Sequence, residues 1–488
     1  MARFGRRSLV GWALFGTAAV LSAAFGPGED RPPQPVLRER ISADARTGST
    51  SGAEGDLLHG RVWSGPAPAA TTVPSRDVLS LLRDDAPLPA PEVLGPMLGD
   101  LAGHPSLGQA VGYDVRDALT GRQLAGRSER EPRAAASTTK LLTGAAVLSL
   151  LGPDTTLPTR VVAGATVDEV VLVGGGDVLL ARGRGSRDSV NGRAGLADLA
   201  ARTAAALRAA GRTTVAVRLD DSAFTGPSLP QGTDAADVSA GFIAPVMAVA
   251  VDCGRVRQGQ NGPRSPDPAL AAARAFVRLL EARGIEVTGG IARARAPEEP
   301  SVLAQVSSAP IGELVEYMLT HSDNTVAEAL ARLVAVHSDR PATFADAGVA
   351  IMDRIDMLGV PTGGVTLIGG SGLGRRNVIP PATLTALLAL AADPDHPELR
   401  TLLSGLPVAA ASGTLTDRFT SQRSRAGAGV VRAKTGTLTG VSSLAGTVVD
   451  ADGRLLVFAL VADHVPSTSG AKSAGDAFAA ALAGCGCR

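Results

Sequence analysis

The stretch "ASTTKLLTG" places Lys140 three residues after Ser137. A serine hydroxyl is a weak nucleophile and needs a base beside it. Lysine serves as that base only when neutral, which burial and a second nearby cation favour by lowering its pKa from about 10.4 toward about 7–8. Arginine cannot do this, because its guanidinium stays protonated in proteins. Of the 47 Lys and Arg residues in the chain, only Lys140, Lys434 and Lys472 are lysine. A chain that otherwise writes its positive charge as arginine keeps lysine at a position where this chemistry would require it. Taken alone, the pair also fits a helix N-cap serine followed by a solvated lysine.

Two further groups carry related chemistry. Ser322-Asp323-Asn324 sits in a polar break between "PIGELVEYMLT" and "TVAEALARLVAV", both read as amphipathic helices. Ser322 suits proton relay and Asn324 suits hydrogen bonding to a substrate amide, although all three residues also cap helices well. In "AKTGTLTG", Lys434 and Thr435 suit a terminal carboxylate, and Gly436 would admit close approach of a ligand backbone. The backbone N–H of Thr437, with that of Ser137, would make an oxyanion hole. The ordinary alternative is a strand exit with an exposed lysine.

The elements that must hold these residues are legible in outline. "VGYDVRDALTGRQLAG" reads as strand, turn and strand. Leu141, Leu142, Ala145, Leu148 and Leu151 recur at helical spacing until Gly152-Pro153 ends the run. Between about 160 and 300, short strands ("EVVLVGGG", "TTVAVRLDD") alternate with alanine-rich helices. "VVRAKTG" and "SSLAGTVVDADGRLLVFALVAD" read as antiparallel strands, and "SGAKSAGDAFAAALAG" as a closing helix.

Composition narrows the function classes. Formal net charge is zero over 488 residues with 19% charged, which argues against a nucleic-acid partner. The six histidines are scattered and none has a Cys or His partner at ligand spacing, so no metal site is expected. Arginines at 3, 6 and 7 precede an apolar run from Ser8 to about Gly26, the pattern of export. Residues 1–26 are expected to be a signal peptide or membrane anchor, and the Pro- and Ala-rich residues 27–76 a disordered linker. The protein is therefore expected outside the cytoplasm, secreted or anchored.

In order along the chain, S-x-x-K on a helix, S-D-N between helices and K-T-G on a strand form the signature of penicillin-binding proteins and class A β-lactamases. The segments "LVGGGDVLL", "LDDSAF", "HSDNTVAEALA", "GGSGLGRRNVIPPATL" and "RAKTGTLTGVSSLAGTV" extend the likeness. The chain resembles D-alanyl-D-alanine carboxypeptidase/endopeptidases of the low-molecular-mass class C penicillin-binding protein family, serine peptidase family S13. The resemblance implies an α/β (α+β) fold, an antiparallel sheet flanked by helices, with a large α/β insertion between the first and second motifs. It assigns 77–160 and 300–488 to the peptidase domain and 161–299 to the insertion. Position by position, it implies Ser137 as acylated nucleophile, Lys140 as base, and Ser322 and Asn324 as proton-transfer and substrate-holding groups. Lys434, Thr435 and Gly436 would bind the substrate's carboxylate end, with Thr437 supplying an oxyanion N–H.

The implied substrate is the D-Ala-D-Ala end of peptidoglycan stem peptides, with β-lactams acylating the same serine and no cofactor. Two departures stand out: the family usually carries tryptophan and tyrosine after the "LDDSAF" segment, where this chain has neither, and commonly aspartate where this chain has Gly370. A β-lactamase-like hydrolase and a non-catalytic wall-binding module are the alternatives. Lys434 is further expected to point into the cleft, where its fixed charge would depress the pKa of Lys140.

Overall fold

The computed structural model describes residues 85–257 and 262–486. The expected export segment and linker lie outside them. Apolar residues on alternate positions give the central sheet two buried faces. Its five strands run in the order Arg432–Leu438, Val441–Val449, Leu455–Asp463, Ala110–Asp117 and Gln123–Arg127, every pair antiparallel. Along Leu455–Asp463, Leu456, Phe458, Leu460 and Ala462 face one core, while Val457, Ala459 and Val461 face the other. That is the two-residue period of a pleated strand buried on both sides.

The first core is closed by the helices Pro91–Ala102 and Thr468–Ala483. The second is larger and is formed with the helices Lys140–Leu151, Ile311–His321, Asn324–Val336, Phe344–Met357 and Pro381–Ala392. Here one expectation fails. The helix Asn324–Val336 is not amphipathic in place: every residue from Thr325 to Ala335 is buried, including Glu328 and Arg332. The two charges stand one turn apart without bonding each other. Arg332 stacks its guanidinium 3.8 Å from the Phe344 ring centre and donates to the Val246 and Pro227 carbonyls.

A second sheet of six strands is built from Thr156–Ala163, Glu169–Val173, Thr214–Asp220, Glu286–Val287, Ala292–Arg293 and Val302–Pro310. Glu169–Val173 and Thr214–Asp220 pair in parallel across the connecting helix Leu196–Ala209. This is a crossover unit, which a parallel pair requires. The boundary expected at residue 160 falls inside the strand Thr156–Ala163. No helix among the described residues is long and apolar enough to cross a membrane.

Candidate active site

Ser137 lies not on the α-helix but in the 3₁₀ turn Ala136–Thr139 that leads into it, with Lys140 the first residue of the α-helix. At three residues per turn, positions i and i+3 of such a turn stack directly. The tighter turn thus aligns Ser137 with Lys140 better than a regular helix would. Ala136, just before the serine, has φ 49°. A left-handed non-glycine residue stores about 1–3 kcal/mol and persists only where its surroundings enforce it.

Two glycines do the enforcing. A Cβ on Gly436 would overlap Ser443 Oγ and stand 2.7 Å from the Ala135 carbonyl oxygen. One on Gly372 would overlap the Ala136 carbonyl. The serine-bearing turn is therefore wedged between the strand Arg432–Leu438 and the loop 369–373, each meeting it closely at a glycine. Ser443 Oγ locks the contact by donating to the Ala135 carbonyl at 2.7 Å. At Gly436 the structure corrects the sequence reading: the strand's own packing, not only a ligand, demands the missing side chain.

Lys140 is fully buried, while Ser137 is half-exposed. Its Nζ lies 2.9 Å from Ser137 Oγ, 2.7 Å from Asn324 Oδ1 and 2.7 Å from the Ser371 carbonyl oxygen. Burial pushes the Lys140 pKa down to about 7, with the charges of Glu328 and Asp323 opposing the shift. The two carbonyl oxygens can only accept. In the neutral amine they take both N–H bonds, which leaves the lone pair for the one neighbour able to donate, the Ser137 hydroxyl.

Ser322 caps the helix Ile311–His321 with φ 55°, where glycine is the usual residue. Its Oγ accepts from Lys434 Nζ at 2.8 Å, and the same Nζ donates to the Thr435 carbonyl at 2.8 Å. Lys434 is also fully buried, and its pKa is pushed well down by burial and by the charge of Lys140. Desolvation is the first cause of the low Lys140 pKa, and the repulsion between the two buried amines is mutual, so it disfavours their being charged together. Thr435 Oγ1 meets Thr414 Oγ1 at 2.8 Å, and Thr437 is exposed on the strand opposite Ser442.

The third motif residue is held from outside the central sheet. Asp323 Oδ1 accepts from the N–H groups of Thr325 (2.9 Å) and Val326 (3.1 Å), and Arg255 donates to its Oδ2 at 3.0 Å. Asn324 Nδ2 donates to the Phe242 carbonyl at 2.9 Å. A cavity of about 280 Å³ opens here against Ser322, Asp323 and Asn324, walled by Phe242, Arg255 and Tyr317. Sequence reasoning missed Glu328, Ser371, Gly372, Ser443, Phe242 and Arg255. The "GGSGL" run was the available signal for two of them. Among the described residues no cluster of His, Cys, Asp and Glu could hold a metal ion, and Cys253 is a buried free thiol.

Three comparisons extend the geometry. Residues 97–261 and 259–483 match the family model described as the D-Ala-D-Ala carboxypeptidase 3 (S13) family. A carboxypeptidase of Mycobacterium tuberculosis is 39% identical over 411 residues, covering 83% of this chain and 87% of that protein. Carboxypeptidase DacB of Mycolicibacterium smegmatis is 38% identical over 406 residues, covering 82% and 86%. In fold, the crystal structure of penicillin binding protein 4 (dacB) from Haemophilus influenzae superposes with a TM-score of 0.66 at 23% identity, over 79% of this chain and 98% of that one.

Proposed function

The chain belongs to the S13 family and is a serine D-Ala-D-Ala carboxypeptidase of peptidoglycan, and from that premise we propose how its residues divide the work. Ser137 Oγ attacks the carbonyl carbon of the penultimate D-alanine while its proton passes to Lys140 Nζ. The backbone N–H groups of Ser137 and Thr437 receive the oxyanion; Thr437 stands on an edge strand, whose outward backbone groups are open to a substrate. The C–N bond then breaks. The proton on Lys140 reaches the leaving nitrogen through Ser322, and D-alanine departs from acyl-Ser137. Water attacks the ester by the same route in reverse and frees the shortened peptide.

Lys434, Thr435 and Gly436 hold the substrate's terminal carboxylate. That negative charge raises the pKa of Lys434 against the burial and the Lys140 charge that lower it, so carboxylate binding favours the charged amine. Asn324 orients Lys140 and borders the substrate cavity. β-Lactams acylate Ser137 through the same attack, with their carboxylate on Lys434 and the expelled nitrogen still tethered to the adduct. Cross-linked peptides enter the same chemistry as an endopeptidase reaction.

The peptidase domain comprises residues 77 to about 155 and about 311–488, the boundaries expected near 160 and 300 moving to the outer ends of the strands Thr156–Ala163 and Val302–Pro310, and the insertion between them steadies the Ser322–Asn324 loop. Residues 1–26 export the chain and either are cleaved or anchor it, and 27–76 form the tether. The β-lactamase alternative requires a carboxylate free to activate the deacylating water. Glu328 does not fit that role, since it is 1% exposed and both its oxygens are bonded to backbone N–H groups.

The observation that carries this reading is the Lys140 amine set between two obligate acceptors and the Ser137 hydroxyl. Mass spectrometry after penicillin, and separately D-alanine release from a D-Ala-D-Ala peptide, tests it. The penicillin adduct is expected on the Ser137 peptide and absent in Ser137→Ala. An unmodified Ser137 with no D-alanine released sinks the reading.

A further inference from the structure

Glu328 stands one helical turn after Asn324, in a helix buried all round. Its carboxylate reaches the loop Gly369–Leu373, where Oε2 accepts from the Gly370 N–H at 2.8 Å and Oε1 from the Ser371 N–H at 2.9 Å. The carbonyl of that same Ser371 is one of the two obligate acceptors on Lys140 Nζ. On the other side, Thr143 Oγ1, from the helix carrying Lys140, donates to the Gly370 carbonyl at 2.7 Å. Gly369 completes the fit: a Cβ there would stand 2.9 Å from both carboxylate oxygens.

Only a carboxylate satisfies both N–H groups. A glutamine would turn its own NH₂ against one of them, and an apolar residue would leave two buried donors unpaired. We propose that Glu328 is a positioning residue for acylation: it fixes the loop whose Ser371 carbonyl orients the Lys140 amine. This rests on Lys140 as the base.

The charged groups facing Lys140 are Glu328 and Asp323 from the helix after the Ser322 loop and Lys434 from the strand, with Asp323 itself paired to Arg255. Glu328 raises the Lys140 pKa against the burial that lowers it. Without that charge the amine loses its proton at lower pH, and the acid limb of acylation moves down by about one pH unit.

The test is the pH dependence of acylation by a fluorescent penicillin, measured on the full chain. In Glu328→Gln the acid limb is expected about one unit lower, with the plateau rate reduced about tenfold or more as the amine loses its alignment. Glu328→Asp keeps the charge and loses part of the grip, so its plateau falls while its midpoint stays. A folded Glu328→Gln with the native midpoint overturns the proposal.

Should Glu328→Gln not fold, Gly369→Ala decides. Its Cβ displaces the carboxylate without removing charge, which is expected to slow acylation, and the shorter acid of Gly369→Ala with Glu328→Asp restores part of the rate. Native acylation in Gly369→Ala overturns the proposal. Native acylation in Lys140→Arg would instead overturn the assignment of the base, which separates the two failures.

Discussion

The two sheets reach Ser137 in different ways. The five-stranded sheet is wholly antiparallel and carries motif residues itself: its edge strand holds Lys434 to Thr437 and presses Gly436 against the turn that bears Ser137. The six-stranded sheet contains parallel pairs and carries none of the motif residues. The segment it frames touches the site through two bonds, Arg255 to Asp323 and the Phe242 carbonyl to Asn324. On the proposed mechanism one region supplies the chemistry and the other holds a single loop in place, so damage to the first should abolish the reaction while damage to the second should slow it.

Four substitutions probe that contrast, in falling order of effect. Lys140→Arg keeps a cation but removes any accessible neutral form, and the penicillin acylation rate should collapse by about a thousandfold or more. Gly436→Ala drives a methyl into Ser443 Oγ and the Ala135 carbonyl. It should lower stability by about 1–3 kcal/mol in denaturant titration and cut acylation about a hundredfold, because the nucleophile turn is displaced.

Arg255→Ala strands the Asp323 carboxylate, whose side chain is 4% exposed. Removing one partner of a buried pair should cost about 3–5 kcal/mol in stability, yet acylation of the folded fraction should fall only about tenfold. A loss as large as that of Lys140→Arg would erase the distinction between the regions. Arg293→Ala, within the six-stranded sheet, removes ion pairs to Asp221 and Asp267 from a side chain that is 44% exposed. It should cost less than about 1 kcal/mol and leave the acylation rate unchanged.

The motif residues were legible because the chemistry they suggest constrains their type at short range. Lys140 is three positions from Ser137, and a lysine in an arginine-writing chain signals itself. The strands also declared themselves, since Val441–Val449 and Leu455–Asp463 are joined by a short turn, and the second is apolar up to its final aspartate. What stayed hidden depends on contacts distant in sequence. In "TVAEALARLVAV", Glu328 and Arg332 looked like the solvated face of an amphipathic helix. Their burial follows from the loop at Gly370 and Ser371, 42 and 43 residues on, and from the carbonyls of Val246 and Pro227, 86 and 105 residues back. Arg255 likewise could not be tied to Asp323 across 68 residues, because arginine is this chain's default cation. The glycines misled more subtly: Gly436 was read for ligand access, when backbone packing already excludes a side chain there.

The central claim is that Lys140 is uncharged at the pH where the enzyme works. With three lysines in the chain, ε-carbon-labelled lysine gives an NMR titration of three signals, and lysine-to-arginine variants assign them. The Lys140 signal is expected to titrate near pH 7, where burial places it. A Lys140 signal that keeps its proton to pH 10 would contradict the account, since a permanently charged amine has no lone pair to offer Ser137.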